Sequence, residues 1–183
     1  MHIAVCGELG AGCTEVGQVL SKKLGLKCVN SASIIRSMVA DFRGVHPNES
    51  FQEFEQHVRS GEVDLDKMID SKIGELLGQE DTIVEGRSAF MLLDNKDVFR
   101  ILLVAPPAKR AHHIAQSRNI MVDEAEEAIR VSDSERKQMV ERLLKKEWLN
   151  PLNYDIAINT ESRSYEQTAD LILKAIPIRS LAQ

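Results

Sequence analysis

A glycine-rich turn near the start of the chain contains residue types that bind phosphate. In the pattern G-x-x-x-x-G-K-[ST], glycines let backbone N–H groups surround phosphate oxygens, the lysine reaches the outer phosphates and the hydroxyl binds Mg²⁺. Cys13 stands at the lysine position of this turn, whereas Thr14 keeps the hydroxyl. We therefore predict a phosphate-binding loop that lacks one positive charge. The residues expected around the phosphates are Gly7, Gly10, Ala11, Gly12, Cys13 and Thr14, with Thr14 also at the metal.

Polar and charged residues follow the next two apolar runs of the chain. Ser31 comes directly after the second run, Arg36 lies one helical turn further on, and Glu85 and Arg87 close the third. In open α/β sheets, ligands bind beyond the carboxyl ends of the strands, so these residues are predicted to converge on an anion. Arg36 also fits an ordinary exposed helix arginine, whereas two charges at the end of a buried strand are costly unless they are paired.

A charge-rich segment over residues 109–137 contains four more arginines. It has the pattern of two helices joined by a short hinge, and Arg110 and Arg118 are eight residues apart, whereas Arg130 and Arg136 are six apart. Each pair is predicted to lie roughly on one side of its helix and to face a shared anion. The alternative is an exposed helical hairpin held together by surface ion pairs.

The elements that must position these residues alternate along the chain. Short runs rich in Val, Ile and Leu predict strands, and the long intervals between them predict helices, a pattern typical of a parallel sheet. The predicted strands are Ile3 to Cys6, Lys27 to Asn30, Thr82 to Glu85, Arg100 to Ala105 and Asp155 to Asn159. The predicted helices are 14–24, 33–43, 49–59, 64–78, 107–118, 123–147 and 164–175.

The length of 183 residues predicts a single domain. We expect a core of residues 1–30, 81–108 and 148–183, because these contain the predicted strands. Residues 31–80 are mostly helical and charged, and are predicted to form a small helical lobe that holds the second substrate. Residues 109–147 are predicted to form a mobile lid.

Composition argues against several classes of partner. A net charge of −5 disfavours a surface that binds nucleic acid or a membrane through bulk charge, and a small molecule is the expected partner. Three cysteines fit a reducing compartment better than a disulfide framework, and no apolar stretch approaches the ~20 residues of a membrane span. We therefore expect a cytoplasmic protein.

The order and spacing of these motifs resemble the archaeal-type cytidylate kinase family. The resemblance spans nearly the whole sequence and implies a three-layer P-loop kinase fold with a five-stranded parallel sheet, a helical lobe for the nucleoside monophosphate and a lid. It also implies Mg²⁺-dependent transfer of the ATP γ-phosphoryl group to CMP or dCMP, and we expect a monomer. The matching pieces are Gly7 to Thr14, Leu24 to Leu26, Val29 to Ala32, Arg36, Val63 to Asp66, Asp70, Ile83 to Arg87, Arg110 to Arg118, Arg130, Ser134 to Lys137 and Tyr154 to Thr160.

The resemblance also implies roles for single residues. Arg36 and Arg87 would bind the phosphate of the monophosphate, and Asp64 would lie near the acceptor nucleotide. Glu85 would hold Mg²⁺ through water or orient Arg87, two alternatives that the sequence leaves open. The remaining members of the predicted site are Ser31 and Arg110 at the acceptor, and Arg118, Arg130 and Arg136 as lid arginines around the transferring phosphoryl group.

Cys13 leaves two further questions open. The first is whether the protein catalyses transfer at all, because a silent nucleotide-binding module, or a kinase with a non-nucleotide acceptor, would share most of these features. The second concerns the thiol itself. Its position at a helix N-terminus favours a lowered pKa and an oxidation-sensitive brake, whereas a small residue that merely fits the turn needs no such role.

Overall fold

Five parallel strands form one sheet, as the alternation of short apolar runs predicts. The computed structural model describes residues 1–45, 60 and 64–176. The strand order is β2-β3-β1-β4-β5, and every neighbouring pair is parallel. The strands are β1 (His2–Gly7), β2 (Lys27–Asn30), β3 (Thr82–Glu85), β4 (Val98–Val104) and β5 (Ile156–Asn159).

Six helices connect and cover these strands in the described part of the chain. They are α1 (Cys13–Leu24), α2 (Ser31–Val45), α3 (Leu65–Gln79), α4 (Pro107–Arg118), α5 (Val122–Leu144) and α6 (Tyr165–Ala175). The predicted helix 49–59 lies outside the described residues. Helix α5 ends at Leu144 rather than at 147, because Lys145 adopts a left-handed conformation with φ of 55°. Two 3-10 helices, Gly86–Leu92 and Pro151–Asn153, were not predicted.

The two faces of the sheet bury separate apolar layers. In β1, Ile3 and Val5 point to one face whereas Ala4 and Cys6 point to the other, as the period of two residues requires. The first face packs against α1 and α6, and the second packs against α2, α3, α5 and the 3-10 helix Gly86–Leu92. This arrangement is the three-layer α/β architecture that the sequence predicts.

The topology brings the carboxyl ends of three strands together. β1 is central and runs directly into the glycine-rich loop, β3 lies beside it, and β2 lies beside β3. In this register Glu85 of β3 is the partner of Val5 on one side and of Asn30 on the other. Residues that are far apart in sequence therefore meet at the start of the loop.

The helices α4 and α5 form a helical hairpin next to this edge of the sheet, and the hairpin has its own small apolar core. Ala111, Ile114, Ala125 and Ile129 are buried there, and Leu9 of the loop packs against them. The loop and the hairpin thus share an apolar contact. None of the helices in the described ranges is both long enough and apolar enough to cross a membrane.

Candidate functional site at the glycine-rich loop

The loop after β1 has the backbone shape of a phosphate-binding turn. Gly10 and Gly12 have φ of 86° and 94°, a region in which residues with a Cβ are strained, so the turn depends on glycine at both positions. The N–H of Ala11 donates to the carbonyl oxygen of Glu8 at 3.1 Å, and the hydroxyl of Thr160 donates to the carbonyl oxygen of Ala11 at 3.0 Å. These bonds fix the loop directly in front of the N-terminus of α1, where an anion is favoured.

Thr14, Asn30 and Glu85 form a hydrogen-bonded group beside the loop. The Thr14 hydroxyl donates to Glu85 Oε2 at 3.0 Å, and Asn30 Nδ2 donates to Glu85 Oε1 at 2.8 Å. The Glu85 side chain is 3% exposed, and this burial raises its pKa above the usual carboxyl range, although the two hydrogen bonds oppose the shift. The group therefore contains a buried carboxylate whose oxygens already have orienting donors.

The donor set at Thr14 and Glu85 suits Mg²⁺. This ion prefers oxygen ligands and keeps several waters, so one hydroxyl and one carboxylate are sufficient protein ligands when phosphates complete the shell. In the described ranges, no group of three or more His, Cys, Asp or Glu side chains has the spacing of an all-protein metal site. The geometry thus fits a metal that is held jointly with a phosphate ligand.

Cys13 is packed inside the loop rather than presented to solvent. It is 9% exposed, and a Cβ placed on Gly7 would lie 2.6 Å from its Sγ. Burial and the nearby Glu85 carboxylate raise the pKa of the thiol to about 12, against the effect of the helix N-terminus. The hypothesis of a lowered thiol pKa is therefore wrong, because desolvation of the thiolate outweighs the helix dipole.

Arg136 of α5 faces the loop and carries a charge without a carboxylate partner. Its Nη1 donates to the backbone oxygen of Ser132 at 3.2 Å and also contacts the Ser132 hydroxyl. Its Nε is buried and has no hydrogen-bond partner, and no ion pair to it is found among the residues that the structure describes. Burial lowers the pKa of this guanidinium below its ordinary value.

A cavity of about 400 Å³ in front of the loop brings most of the predicted residues together. Arg87 and Arg118 line it together with Arg136, so three cations face the glycine-rich turn. Arg87 also forms an ion pair with Glu135 at 3.0 Å. The predicted site residues on this cavity are Gly7, Gly10, Gly12, Cys13, Thr14, Ser31, Glu85, Arg87, Arg118 and Arg136.

Arg110 lies behind the loop, where it is bound by carboxylates of the protein itself. It is 5% exposed and pairs with Glu8 at 3.1 Å and with Asp133 at 2.6 Å. Its Nε donates to the backbone oxygen of Ala105 at 3.1 Å, and Nη1, which also pairs with Asp133, donates to the backbone oxygen of Leu9 at 3.2 Å. The structure does not place Arg110 with Arg118 around a common cavity, because every side of the Arg110 guanidinium is already occupied.

Arg130 does not line the loop cavity with Arg136. Six residues along an α-helix correspond to about 600°, which leaves the two side chains about 120° apart. Arg130 is exposed and pairs with Glu127 on its own helix at 2.5 Å, outside the loop cavity. We predicted that the two arginines of each helix would face one anion. Instead, one arginine from each helix, Arg118 of α4 and Arg136 of α5, lines the cavity in front of the loop.

Three more of the predicted residues do not line the loop cavity, and one of them, Ala11, is buried within the loop itself. Arg36 is exposed on α2, and Asp64 caps the N-terminus of α3, where its side chain accepts from the N–H of Lys67 at 3.2 Å. Asp64 lines a second cavity of about 260 Å³, whose lining combines three aspartates and two cations with apolar side chains. The residues around this cavity are Asp64, Asp66, Lys67, Asp70, Phe90, Met91, Met139, Val140, Arg142, Leu143 and Leu144.

Sequence reasoning missed several residues that shape the site. Asn30 was predictable from its place at the end of β2, which is next to the strand that ends at Glu85. Glu8 and Asp133 gave no local signal, because their partner Arg110 is far from them in sequence. Glu8 lies 102 positions before Arg110 and Asp133 lies 23 positions after it, so only the fold brings them together.

Solved structures of kinases share this architecture. A parallel five-stranded sheet whose central strand enters a glycine-rich phosphate-type loop defines the P-loop kinase class. Shikimate kinase from Acinetobacter baumannii, in complex with shikimate, superposes with a TM-score of 0.59 at 18% identity and covers 96% of this chain and 92% of its own. An uncharacterized protein from Eubacterium ventriosum reaches a TM-score of 0.70 at 17% identity, over 96% and 98% of the two chains. These similarities confirm the predicted fold.

Sequence comparison identifies the family within that class. The model of the cytidylate kinase-like family matches residues 2–162, and this chain belongs to that family. The cytidylate kinase of Methanobrevibacter smithii is 32% identical over 179 residues, which cover 97% of this chain and 99% of the relative. The cytidylate kinase of Archaeoglobus fulgidus is 26% identical over 182 residues, 99% and 97% of the two chains. The resemblance that the motifs indicate is thereby confirmed.

Proposed function

We propose that this protein is a nucleoside monophosphate kinase that transfers the γ-phosphoryl group of ATP to CMP or dCMP in the presence of Mg²⁺. Membership of the cytidylate kinase-like family supports the reaction class, and the names of the relatives support the acceptor. The observation that carries the proposal is the loop cavity, where the glycine turn, the Thr14–Glu85 oxygens and three arginines face one space.

This arrangement suits the chemical demands of phosphoryl transfer. The acceptor phosphate oxygen is already a nucleophile, so the protein must mainly hold two phosphates in line and offset the charge that they bring together. Arg87, Arg118 and Arg136 supply that charge from three different elements. Mg²⁺ bound near Thr14 and Glu85 would neutralise oxygens of the nucleotide phosphates.

The second cavity has properties that suit the base of the acceptor. Phe90 and Met139 offer an apolar wall for a flat ring, and Asp64 and Asp70 on the rim offer acceptors for an amino group such as that of cytosine. The 3-10 helix Gly86–Leu92 connects the two cavities, because Arg87 lines the loop cavity and Phe90 lines the second. We therefore place the acceptor along this helix, with its phosphate towards Arg87 and Arg36 and its base towards Phe90.

The test is a coupled assay of ADP release with ATP, Mg²⁺ and a panel of CMP, dCMP, UMP, AMP and GMP. Turnover with CMP or dCMP above that with the other acceptors supports the proposal. Asp64→Asn should raise the KM for CMP while the KM for ATP stays constant, and Lys96→Ala, an exposed cation remote from both cavities, serves as the matched control. Equal turnover with every acceptor would contradict the proposed specificity.

A silent nucleotide-binding module is the second candidate, and Cys13 is the observation that favours it. The P-loop lysine normally stabilises charge on the outer phosphates, and loss of one such donor costs about 10²–10³-fold in kcat. ATP binding without turnover on any acceptor of the panel would identify the protein as such a module. Release of ADP with a non-nucleotide alcohol instead would indicate a different acceptor class.

A further inference from the structure

We infer that Arg136 supplies, from helix α5, the phosphate-binding charge that the loop lacks at Cys13, and that Asp133 and Arg110 position it. This inference rests on the proposed function, since it concerns how the same cavity binds the outer phosphates of ATP. It assigns the compensation to one of the arginines at the loop rather than to the lid as a whole.

The position of Arg136 in the loop cavity suits this role. Arg136 and Cys13 line the same cavity, and they are close enough that each charge affects the pKa of the other group. Arg136 also influences Glu85, the carboxylate that is hydrogen-bonded to Thr14. The guanidinium therefore shares one cavity with the position of the missing lysine and with the predicted metal ligands.

The guanidinium of Arg136 is partly buried, its Nε is fully enclosed, and no carboxylate in the described chain forms an ion pair with it. A desolvated charge is stable only when it is paired or when a ligand completes its surroundings. The only acceptors that Arg136 contacts within the described chain are the backbone oxygen and the hydroxyl of Ser132, and its Nε is buried and unpaired. Phosphate oxygens in the adjoining cavity would provide the missing acceptor and, in the fork geometry of a guanidinium, two at once.

The fold also holds this part of α5 against the loop. Asp133 lies three residues before Arg136, and its Oδ1 accepts from the N–H of Leu9 at 3.2 Å while its Oδ2 pairs with Arg110 at 2.6 Å. Arg110 in turn binds Glu8 and the carbonyl oxygen of Leu9. These contacts fasten one turn of α5 to the back of the loop, so that Arg136 is placed before any nucleotide binds.

The neighbouring cations are less suited to this role. Arg87 is already paired with Glu135 and is 45% exposed, and Arg118 is exposed at the end of α4. Lys109 donates to the backbone oxygens of Thr160 and Glu161. Arg136 therefore combines partial burial, a shared cavity with Cys13 and, among the described residues, the absence of a carboxylate partner in a way that these three do not.

The activity test is a double-mutant cycle of Cys13→Lys and Arg136→Ala. We expect Arg136→Ala to lower kcat by about 10²–10³-fold, as expected when a preorganised charge donor is removed. Cys13→Lys in that background should restore about tenfold or more, whereas the same change in the wild type should gain little, because the charge is already supplied. Arg136→Lys should retain more activity than Arg136→Ala, and Lys137→Ala, which removes the adjacent exposed cation, should match the wild type.

A binding test separates this inference from the proposed function. Calorimetric titration of tripolyphosphate requires no turnover, and Arg136→Ala should weaken its binding by about tenfold or more while Lys137→Ala leaves it unchanged. If the wild type phosphorylates no acceptor, the proposed function fails, yet the binding comparison still decides the role of Arg136.

Two results would overturn the inference. One is tripolyphosphate binding by Arg136→Ala within about twofold of that by Lys137→Ala. The other is independence of the two sites in the cycle, with Cys13→Lys giving the same fold gain in both backgrounds. Thermal melting of each variant shows whether it folds, and if Cys13→Lys does not fold, the comparison of Arg136→Lys with Arg136→Ala in the binding test decides the question.

Discussion

Two arginines at the loop, the buried Arg110 behind it and the partly buried Arg136 in front of it, have opposite surroundings. Arg110 is enclosed by Glu8, Asp133 and two backbone oxygens, so its charge is compensated within the protein. Within the described ranges, Arg136 donates to the oxygens of Ser132 alone, and its unpaired Nε lies beside an open cavity. The difference indicates that the first arginine stabilises the folded loop, whereas the second is available to a ligand.

Removal of Arg110 should give the largest effect on stability. Arg110→Ala leaves two carboxylates, Glu8 and Asp133, without their cation, and breaking such a buried cluster costs about 3–5 kcal/mol. The free energy of unfolding, measured by urea titration, should fall accordingly. Arg130→Ala is the matched control because Arg130 forms an exposed ion pair with Glu127, and its unfolding midpoint should not change. Equal midpoints for the two variants would contradict the structural role of Arg110.

Removal of Arg136, unlike removal of Arg110, should not lower the free energy of unfolding. Replacement by leucine, a residue of similar apolar bulk, removes a desolvated cation that has no carboxylate partner, so stability should stay constant or rise by about 1 kcal/mol. The same urea titration measures this change, in the absence of nucleotide. A loss as large as that of Arg110→Ala would show that Arg136 belongs to the folded framework after all.

The carboxylate in front of the loop should make stability depend on pH. Burial raises the pKa of Glu85 in the folded protein above 4.5, its ordinary value, which we take for the unfolded chain. Between the unfolded-state pKa and the raised folded-state pKa, the folded state binds more protons than the unfolded state. Stability therefore falls as pH rises through this window, by at most about 1.4 kcal/mol per pH unit for one proton. Glu85→Gln should remove this contribution, and the difference from wild type should grow from pH 4.5 upwards.

Urea titrations at several pH values measure that difference. Glu166→Gln, which neutralises an exposed carboxylate in the first turn of α6, is the control and should follow the wild-type curve. A Glu85→Gln curve parallel to that of the wild type at every pH would contradict a raised pKa in the folded state.

The smallest expected effect concerns the thiols. Burial raises the pKa of both Cys13 and Cys28 to about 12, so neither forms an appreciable thiolate at neutral pH. Iodoacetamide should label Cys13 of the native protein no faster than Cys28, as followed by mass spectrometry of the digested protein. Preferential labelling of Cys13 would revive the idea of a reactive cysteine in the loop.

Much of this architecture was predictable because it depends on local patterns. The strands are short apolar runs bounded by helical intervals, and all five predicted strands occur, although β4 begins at Val98 rather than at Arg100. The glycine positions and Thr14 also define the loop without tertiary information, since the backbone angles at Gly10 and Gly12 require glycine.

The pairing of the arginines was not predictable in the same way. The expectation that Arg130 and Arg136 share a side of their helix was wrong for a geometrical reason, since six residues leave them about 120° apart. Nothing in the local sequence distinguishes Arg110 from Arg118, because the distinction depends on Glu8 and Asp133, which only the fold brings next to Arg110.

The sequence by itself therefore determined the sheet, the loop and the identity of the charges, because periodicity and glycine placement act over a few residues. Tertiary structure alone decided which charges are compensated. Whether an arginine at the loop is paired depends on groups from distant segments. Asp133 pairs with Arg110, whereas no carboxylate in the described chain pairs with Arg136.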